Sequence, residues 1–222
     1  MAEPIAQTFM FADLASYTAL TEVHGDEEAV RLVEDYCAAM RGLLSEHGAH
    51  EVKTIGDALL VCVPEAAAGV RLGIRAARDV GGAGHRFPSV RVGMHHGPAI
   101  ERGGDYYGRT VNIAARVSAL AGAGEVLVTD AVVRAAGDIE RVRFTERGRY
   151  PLKGIEEPVL IYAASPGAQE SSEGLPLDPV CHMAVDPERA AAIVVHEGVR
   201  YYLCTPQCAR RFINGPEQFV RR

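Results

Sequence analysis

The stretch HEVKTIGDALLVCVP, residues 50–64, decides how the flanking sequence must fold. Apolar and β-branched residues run up to a single Gly56–Asp57 break and resume beyond it, which predicts two strands joined by a tight turn. On its N-terminal side, DEEAVRLVEDYCAAMRGLLSEHG (26–48) predicts a helix. Its apolar Val30, Val33, Cys37, Met40 and Leu44 recur every three or four residues, with Asp26 placed as N-cap and Gly48 as stop. Earlier still, AQTFMFAD (6–13) reads as a buried strand ending at Asp13. On the C-terminal side a helix is expected over about 64–80, then a strand pair in SVRVGMHHGPAIE (89–101). A helix in RTVNIAARVSALAG (109–122) follows, then strands in GEVLVTD, VRFTERGRYPLKG and EPVLIYAA. The order β-α-β-β-α-β with an extension predicts an α+β fold, a ferredoxin-like sandwich, with the antiparallel hairpin at the centre of its sheet and the first strand beside it.

A break falls at SPGAQESSEGLPLDP (165–179), rich in Ser, Gly, Pro and Glu, which reads as a linker. The expected division is a domain over 1–164, a linker over 165–176 and a small module over 177–222. With 222 residues and 48% hydrophobic content the chain can bury a core, and a net charge of -6 argues against nucleic-acid and membrane-surface partners. No secretory leader and no apolar run long enough for a membrane span are visible, so a cytoplasmic location is expected. Three of the five cysteines, Cys181, Cys204 and Cys208, crowd the C-terminal end, which favours thiol or metal chemistry over a disulfide framework.

Two aspartates sit where adjacent strands end. Asp13 closes the first strand and Asp57 follows the hairpin turn, so their carboxylates can approach and hold a hard cation such as Mg²⁺ or Mn²⁺. Asn112 and Arg116 lie four apart on one helical face, an amide suited to a hydroxyl and a planar fork suited to phosphate. Lysine is scarce: of 23 basic residues other than histidine only Lys53 and Lys153 are lysines.

Taken together, FMFADLASYTALTE, KTIGDALL, RVGMHHGP and GGDYYGRTVNIAARV resemble the catalytic domain of class III adenylyl cyclases over about residues 6–164. The resemblance implies that Asp13 and Asp57 bind two Mg²⁺ or Mn²⁺ ions per site, that Lys53 and Asp105 select adenine, and that Asn112 orients the ribose. It further implies that Arg116 stabilises the transition state and Lys153 contacts the triphosphate. ATP would be the substrate and cyclic AMP and pyrophosphate the products, in a head-to-tail homodimer whose sites draw the carboxylates from one subunit and the base-reading residues from the other. An ammonium donor and a carboxylate acceptor complement the N1 lone pair and the N6 amino group of adenine; guanine presents the reverse pattern. LASYT, at a strand-to-helix turn, could cradle phosphates. AIERGGDYYG could form an interface arm or a surface hairpin.

The C-terminal segment has the spacing C-x22-C-x3-C in a module with little core, where a soft or borderline ion, Zn²⁺ or Cu⁺, could supply stability. His182, Met183 and His196 are candidates for a fourth ligand. DPVC, YYLC and CARRF resemble the YHS family of small metal-binding modules, although His182 stands where that family usually has glycine. The competing reading is a metal sensor or metal chaperone that uses a cyclase-like domain as a dimerisation scaffold.

Overall fold

The computed structural model describes residues 6–80, 87–167 and 175–220. Its frame is a seven-stranded sheet in the order β2-β3-β1-β4-β7-β9-β8. The strands are β1 (Ala6–Leu14), β2 (His50–Ile55), β3 (Ala58–Val63), β4 (Val90–Pro98), β7 (Val126–Thr129), β8 (Val142–Tyr150) and β9 (Val159–Pro166). Only β4 and β7 pair in parallel; every other neighbour is antiparallel. The first four strands lie in the order a ferredoxin-like sandwich requires, and β7, β9 and β8 extend the sheet beyond β4.

The hairpin β2–β3 sits at the sheet edge, not at its centre. β1 takes the interior place because it is apolar on both faces: Met10, Ala12 and Leu14 enter the main core, whereas Phe9 packs with Leu60, Cys62 and Ala114 on the other side. β2 carries exposed His50, Thr54 and Ile55 and can stand at an edge. The expected strand pair at 89–101 also divides differently. β4 ends at Pro98, which lacks an amide donor, and β5 (Ile100–Arg102) turns away to pair with β6 (Asp105–Tyr107). Gly103 and Gly104, both at positive φ, make that hairpin's turn.

Helices cover both faces. α1 (Tyr17–His24), α2 (Asp26–Leu44) and α3 (Ala66–Arg75) pack on the face of Met10 and Leu14, and α4 (Arg109–Leu120) packs on the face of Phe9. A short α5 (Asp130–Ala136) follows β7. In α2 the buried stripe is Ala29, Leu32, Tyr36, Cys37, Met40 and Leu44, while Val30 is 51% exposed. Cys37, Met40 and Leu44 of the expected stripe are buried and Val33 packs against the core; Val30 alone lies outside, and the bulky, fully buried Tyr36 joins the stripe in its place. Asp26 is the first helical residue, with Gly25 as N-cap at φ 84, so its carboxylate acts on the helix dipole and does not cap. Gly48 does close this region, in the left-handed conformation after a short 3-10 turn.

The C-terminal module consists of the hairpin β10 (Ala192–His196) and β11 (Val199–Leu203), then α6 (Pro206–Asn214). Residues 168–174 of the expected linker lie outside the described residues. The module shares a core with the rest of the chain. Val180, Cys181, Met183, Leu203, Cys208 and Phe212 belong to the same apolar cluster as Leu20, Leu32 and Met40. No helix among the described residues is long and apolar enough to cross a membrane.

Candidate active site and cysteine cluster

β1 and the β2–β3 turn bring two carboxylates together. Asp13 pairs in register with Ala58, the residue after Asp57, and Gly56 takes the positive φ that the two-residue turn needs. Burial, a hydrogen bond with Asp13 and the Asp13 charge push the Asp57 carboxyl up to about 7. Arg91, from the neighbouring strand β4, donates to Asp13 Oδ2 from Nε at 2.8 Å and also from Nη2. The fully buried Tyr36 hydroxyl has no hydrogen-bond partner among the described residues and feels the charges of both aspartates. Two half-desolvated carboxylates whose second ionisation is resisted are a donor set that suits a hard divalent cation.

Paired residues on neighbouring strands point to the same side, so Phe11, Leu60 and Lys53 share the face that α4 covers, and Asp13 lies on it by alternation. A bulge between Glu51 and Lys53 sets the lysine. Lys53 Nζ donates to Asp105 Oδ2 at 2.6 Å and stands 5.9 Å from the centre of the Tyr107 ring. Asp105 Oδ1 accepts from the Tyr106 amide at 2.8 Å, and the Lys53 hydrogen bond holds the Asp105 carboxyl below its usual range. Asn112 is exposed on α4 and Arg116 is half-buried one turn later. The Arg116 guanidinium lies beside the Leu152–Ile155 turn, 3.9 Å from where a side chain on Gly154 would begin, with exposed Lys153 in the same turn. Among the described residues, no hydrogen bond or ion pair joins Asp13 and Asp57 to Lys53, Asp105, Asn112 or Arg116.

Cys181, Cys204 and Cys208 converge. Their sulphurs are 3.4 Å (Cys181–Cys204), 3.7 Å (Cys204–Cys208) and 3.7 Å (Cys181–Cys208) apart, and none is in a disulfide. Local chemistry places them. Buried Asp178 accepts from the amides of Val180 at 2.8 Å and Cys204 at 2.7 Å, tying the first cysteine turn to the end of β11. Thr205 caps α6 by accepting from the Cys208 amide, and Pro206 opens the helix. Of the two histidines expected as fourth ligand, His182 and His196, neither joins the group. His24, at the end of α1, does. His182 instead bonds Ser16 Oγ through Nδ1 at 2.6 Å, and the two residues are both at positive φ. A cleft of about 870 Å³ between the two halves is lined by Ser16, Arg91, Arg147 and His182.

Sequence reasoning missed Arg91, Tyr36 and His24, and reached Ser16 only as part of the LASYT turn. An arginine flanked by valines on a strand beside Asp13 was a signal for the first; His24 and Cys204 are 180 residues apart, and no spacing pattern reaches that far.

Comparison with known proteins places both parts of the chain in families. The family described as adenylate and guanylate cyclase catalytic domain matches residues 3–165, and the YHS domain matches residues 177–222. A pH-sensitive adenylate cyclase of Mycobacterium tuberculosis is 33% identical over 170 residues, covering 75% of this chain and 42% of that protein. An adenylate cyclase of Glutamicibacter nicotianae is 37% identical over 129 residues, covering 58% of this chain and 32% of that protein. The chain thus spans less than half the length of these curated relatives. Among solved structures, an adenylyl cyclase from P. aeruginosa superposes with a TM-score of 0.62 at 24% identity, covering 75% of this chain and 97% of that one, a likeness of fold. The chain belongs to the adenylate and guanylate cyclase catalytic domain family and carries a YHS domain.

Proposed function

We propose that the protein is an adenylyl cyclase that converts ATP to 3′,5′-cyclic AMP and pyrophosphate. The observation that carries this reading is the 2.6 Å Lys53–Asp105 pair, a donor-only ammonium and an acceptor-only carboxylate held together, with Lys53 on the sheet face that carries Asp13. In this reading Lys53 donates to adenine N1 and Asp105 accepts from its N6 amino group. Asp13 and Asp57 hold two divalent cations, Mg²⁺ or Mn²⁺. Those cations supply activation of the ribose 3′-hydroxyl and charge neutralisation at the triphosphate. Arg91, which pairs with Asp13, would stand beside a cation held there and could offer its guanidinium to phosphate oxygens. Asn112 orients the ribose, Arg116 meets charge developing on the α-phosphorus, and Lys153 binds the leaving phosphates.

The site is completed by a second copy of the chain, head to tail. Ile55 at 50% exposure, Ile100 at 65% and Tyr107 at 52% leave apolar surface around the hairpins that carry Lys53 and Asp105, and burying it favours association. The relatives' names as adenylate cyclases support ATP over GTP. The metal-sensor reading draws on the cysteine cluster and needs no turnover.

The test is direct: purified chain with Mn²⁺ is incubated with ATP or GTP and the cyclic nucleotide is measured. Cyclic AMP from ATP, abolished by Asp57→Ala, is expected. Folded, dimeric protein that forms no cyclic nucleotide would transfer support to the sensor reading.

A further inference from the structure

His24 belongs to the catalytic half, yet it closes the cysteine cluster. Its Nε2 lies 3.8 Å from Cys204 Sγ, and the four ligand atoms all lie within 4.8 Å of one another. A tetrahedral zinc site with Zn–S about 2.3 Å and Zn–N about 2.0–2.1 Å has sulphur–sulphur edges of about 3.8 Å and sulphur–nitrogen edges of about 3.5 Å. The sulphur–sulphur edges here run from 3.4 to 3.7 Å. Hydrogen bonding among thiols would account for the sulphur triangle alone. It does not account for an imidazole brought to the fourth corner by dedicated anchors. Glu22 supplies these: its carboxylate pairs with Arg211 of α6 at 2.8 Å, and its carbonyl accepts from Gln207 Nε2 at 3.3 Å. His24 follows on the same helix, and Cys208 lies on the same α6 as Gln207 and Arg211.

We propose that His24 is the fourth ligand of a Cys₃His site for a tetrahedral divalent cation of the zinc class, so that the bound ion fastens the YHS domain to α1 of the catalytic domain. The proposal rests on reading the YHS domain as metal-binding and adds the bridge. Three thiolates with one imidazole in four-fold closure is a zinc donor set; Cu⁺ is served by thiolates alone. The ion would hold the C-terminal end of α1, while His182 holds its N-terminal end through Ser16. Ser16 is three residues from Asp13, so loading of the cluster would order the loop that leads out of the carboxylate site.

The test is a Co²⁺ titration of the full chain followed by optical absorption. One Co²⁺ per chain, with tetrahedral d–d bands and thiolate charge transfer, is expected. His24→Ala should weaken binding at least about tenfold, since loss of an outer-shell partner alone costs 10–100-fold. His24→Cys should keep a tetrahedral ion and gain charge-transfer intensity from a fourth thiolate, while His196→Ala should keep the wild-type spectrum. Hydrogen exchange over residues 17–24 should slow on metal addition in the wild type and not in His24→Ala. Wild-type protein that takes up no Co²⁺ or Zn²⁺ overturns the metal reading itself. Metal uptake with the same affinity, spectrum and α1 exchange in His24→Ala keeps that reading and overturns the bridge.

Discussion

Replacing Gly93 by alanine should separate α4 from the sheet. A Cβ built on Gly93 would stand 1.9 Å from the Ser118 amide nitrogen, 2.3 Å from Ser118 Cα and 2.6 Å from the Val117 carbonyl carbon. All three are backbone atoms of α4, so no side chain can rotate away. Restoring an ordinary contact near 3.4 Å requires the helix to retreat about 1.5 Å, and a gap of 0.5–1 Å already forfeits a quarter to a half of a dispersion well. Ile113, Ala114 and Val117, on the buried face of α4, would lose contacts together. Overpacking ordinarily costs about 1–3 kcal/mol, and with backbone as the obstacle the expected cost is at the top of that range or above, about 3 kcal/mol. For a chain of this size each kcal/mol lowers Tm by about 2–4 °C, so calorimetry should show a fall of about 6–12 °C. Gly73→Ala is the control. Its Cβ would meet Met94 Cε at 2.2 Å, the far end of a flexible side chain, and otherwise two valine methyls at 3.3 Å. Alanine also gains up to about 1 kcal/mol over glycine inside a helix, so this change should cost less than half as much. Because α4 carries Asn112 and Arg116, Gly93→Ala should also depress product formation. A Gly93→Ala protein that melts within about 2 °C of wild type would refute the close approach of α4.

Lys53→Glu combined with Asp105→Gly should erode the ratio of kcat/KM for ATP over GTP by about ten- to a hundredfold; a ratio that stays at the wild-type value removes both residues from base reading. Mixing Asp57→Ala with Asn112→Ala should restore activity towards half of wild type per heterodimer, because one site then carries both lesions and the other none. Asp13→Ala mixed with Asp57→Ala should stay inactive, and failure of the first mixture despite proven heterodimers would rule out a shared site. The Asp57 carboxyl at about 7 binds a proton in the folded chain that the unfolded chain has released above its ordinary value of about 3.9, so its contribution to stability is present at low pH and lost as pH rises through about 7. The melting temperature of metal-free protein should therefore fall between about pH 4 and 7 more steeply in wild type than in Asp57→Asn, and Mg²⁺ or Mn²⁺ should flatten the wild-type curve; parallel curves would show that Asp57 is not perturbed.

What was legible in the sequence was whatever chemistry sits within one short element. Lys53 and Asp57 share a hairpin whose Gly56 announces the turn, and Asn112 and Arg116 share a helical face. The cysteine spacing likewise located a cluster, since Thr205 and Pro206 fix Cys204 and Cys208 at a helix start. Order across the sheet was less visible. Hairpin strands look alike in a list of strands, and only the two-sided burial of β1 decides that β2 is the edge. In α2 a three-to-four spacing fits two adjacent stripes, and Tyr36 selects the one that leaves Val30 outside. His24 was out of reach for a different reason: a ligand given by one domain to another has no local pattern, and it emerges only once α1 and α6 lie side by side.

The apolar cluster that runs from Leu20, Leu32 and Met40 into Leu203, Cys208 and Phe212 gives the two domains one shared core, which should couple their unfolding. Cutting the chain between them would bare part of that cluster, so the catalytic domain is not a free-standing body to which a sensor has been appended. Any ion that binds only the folded cysteine cluster adds its linkage energy to the whole, about 2.7 kcal/mol at a free concentration one hundred times the Kd. The ion's availability would then set how long the cyclase domain survives as well as how α1 is held. Metal supply would be recorded in the abundance of folded molecules before it altered the rate of any one of them.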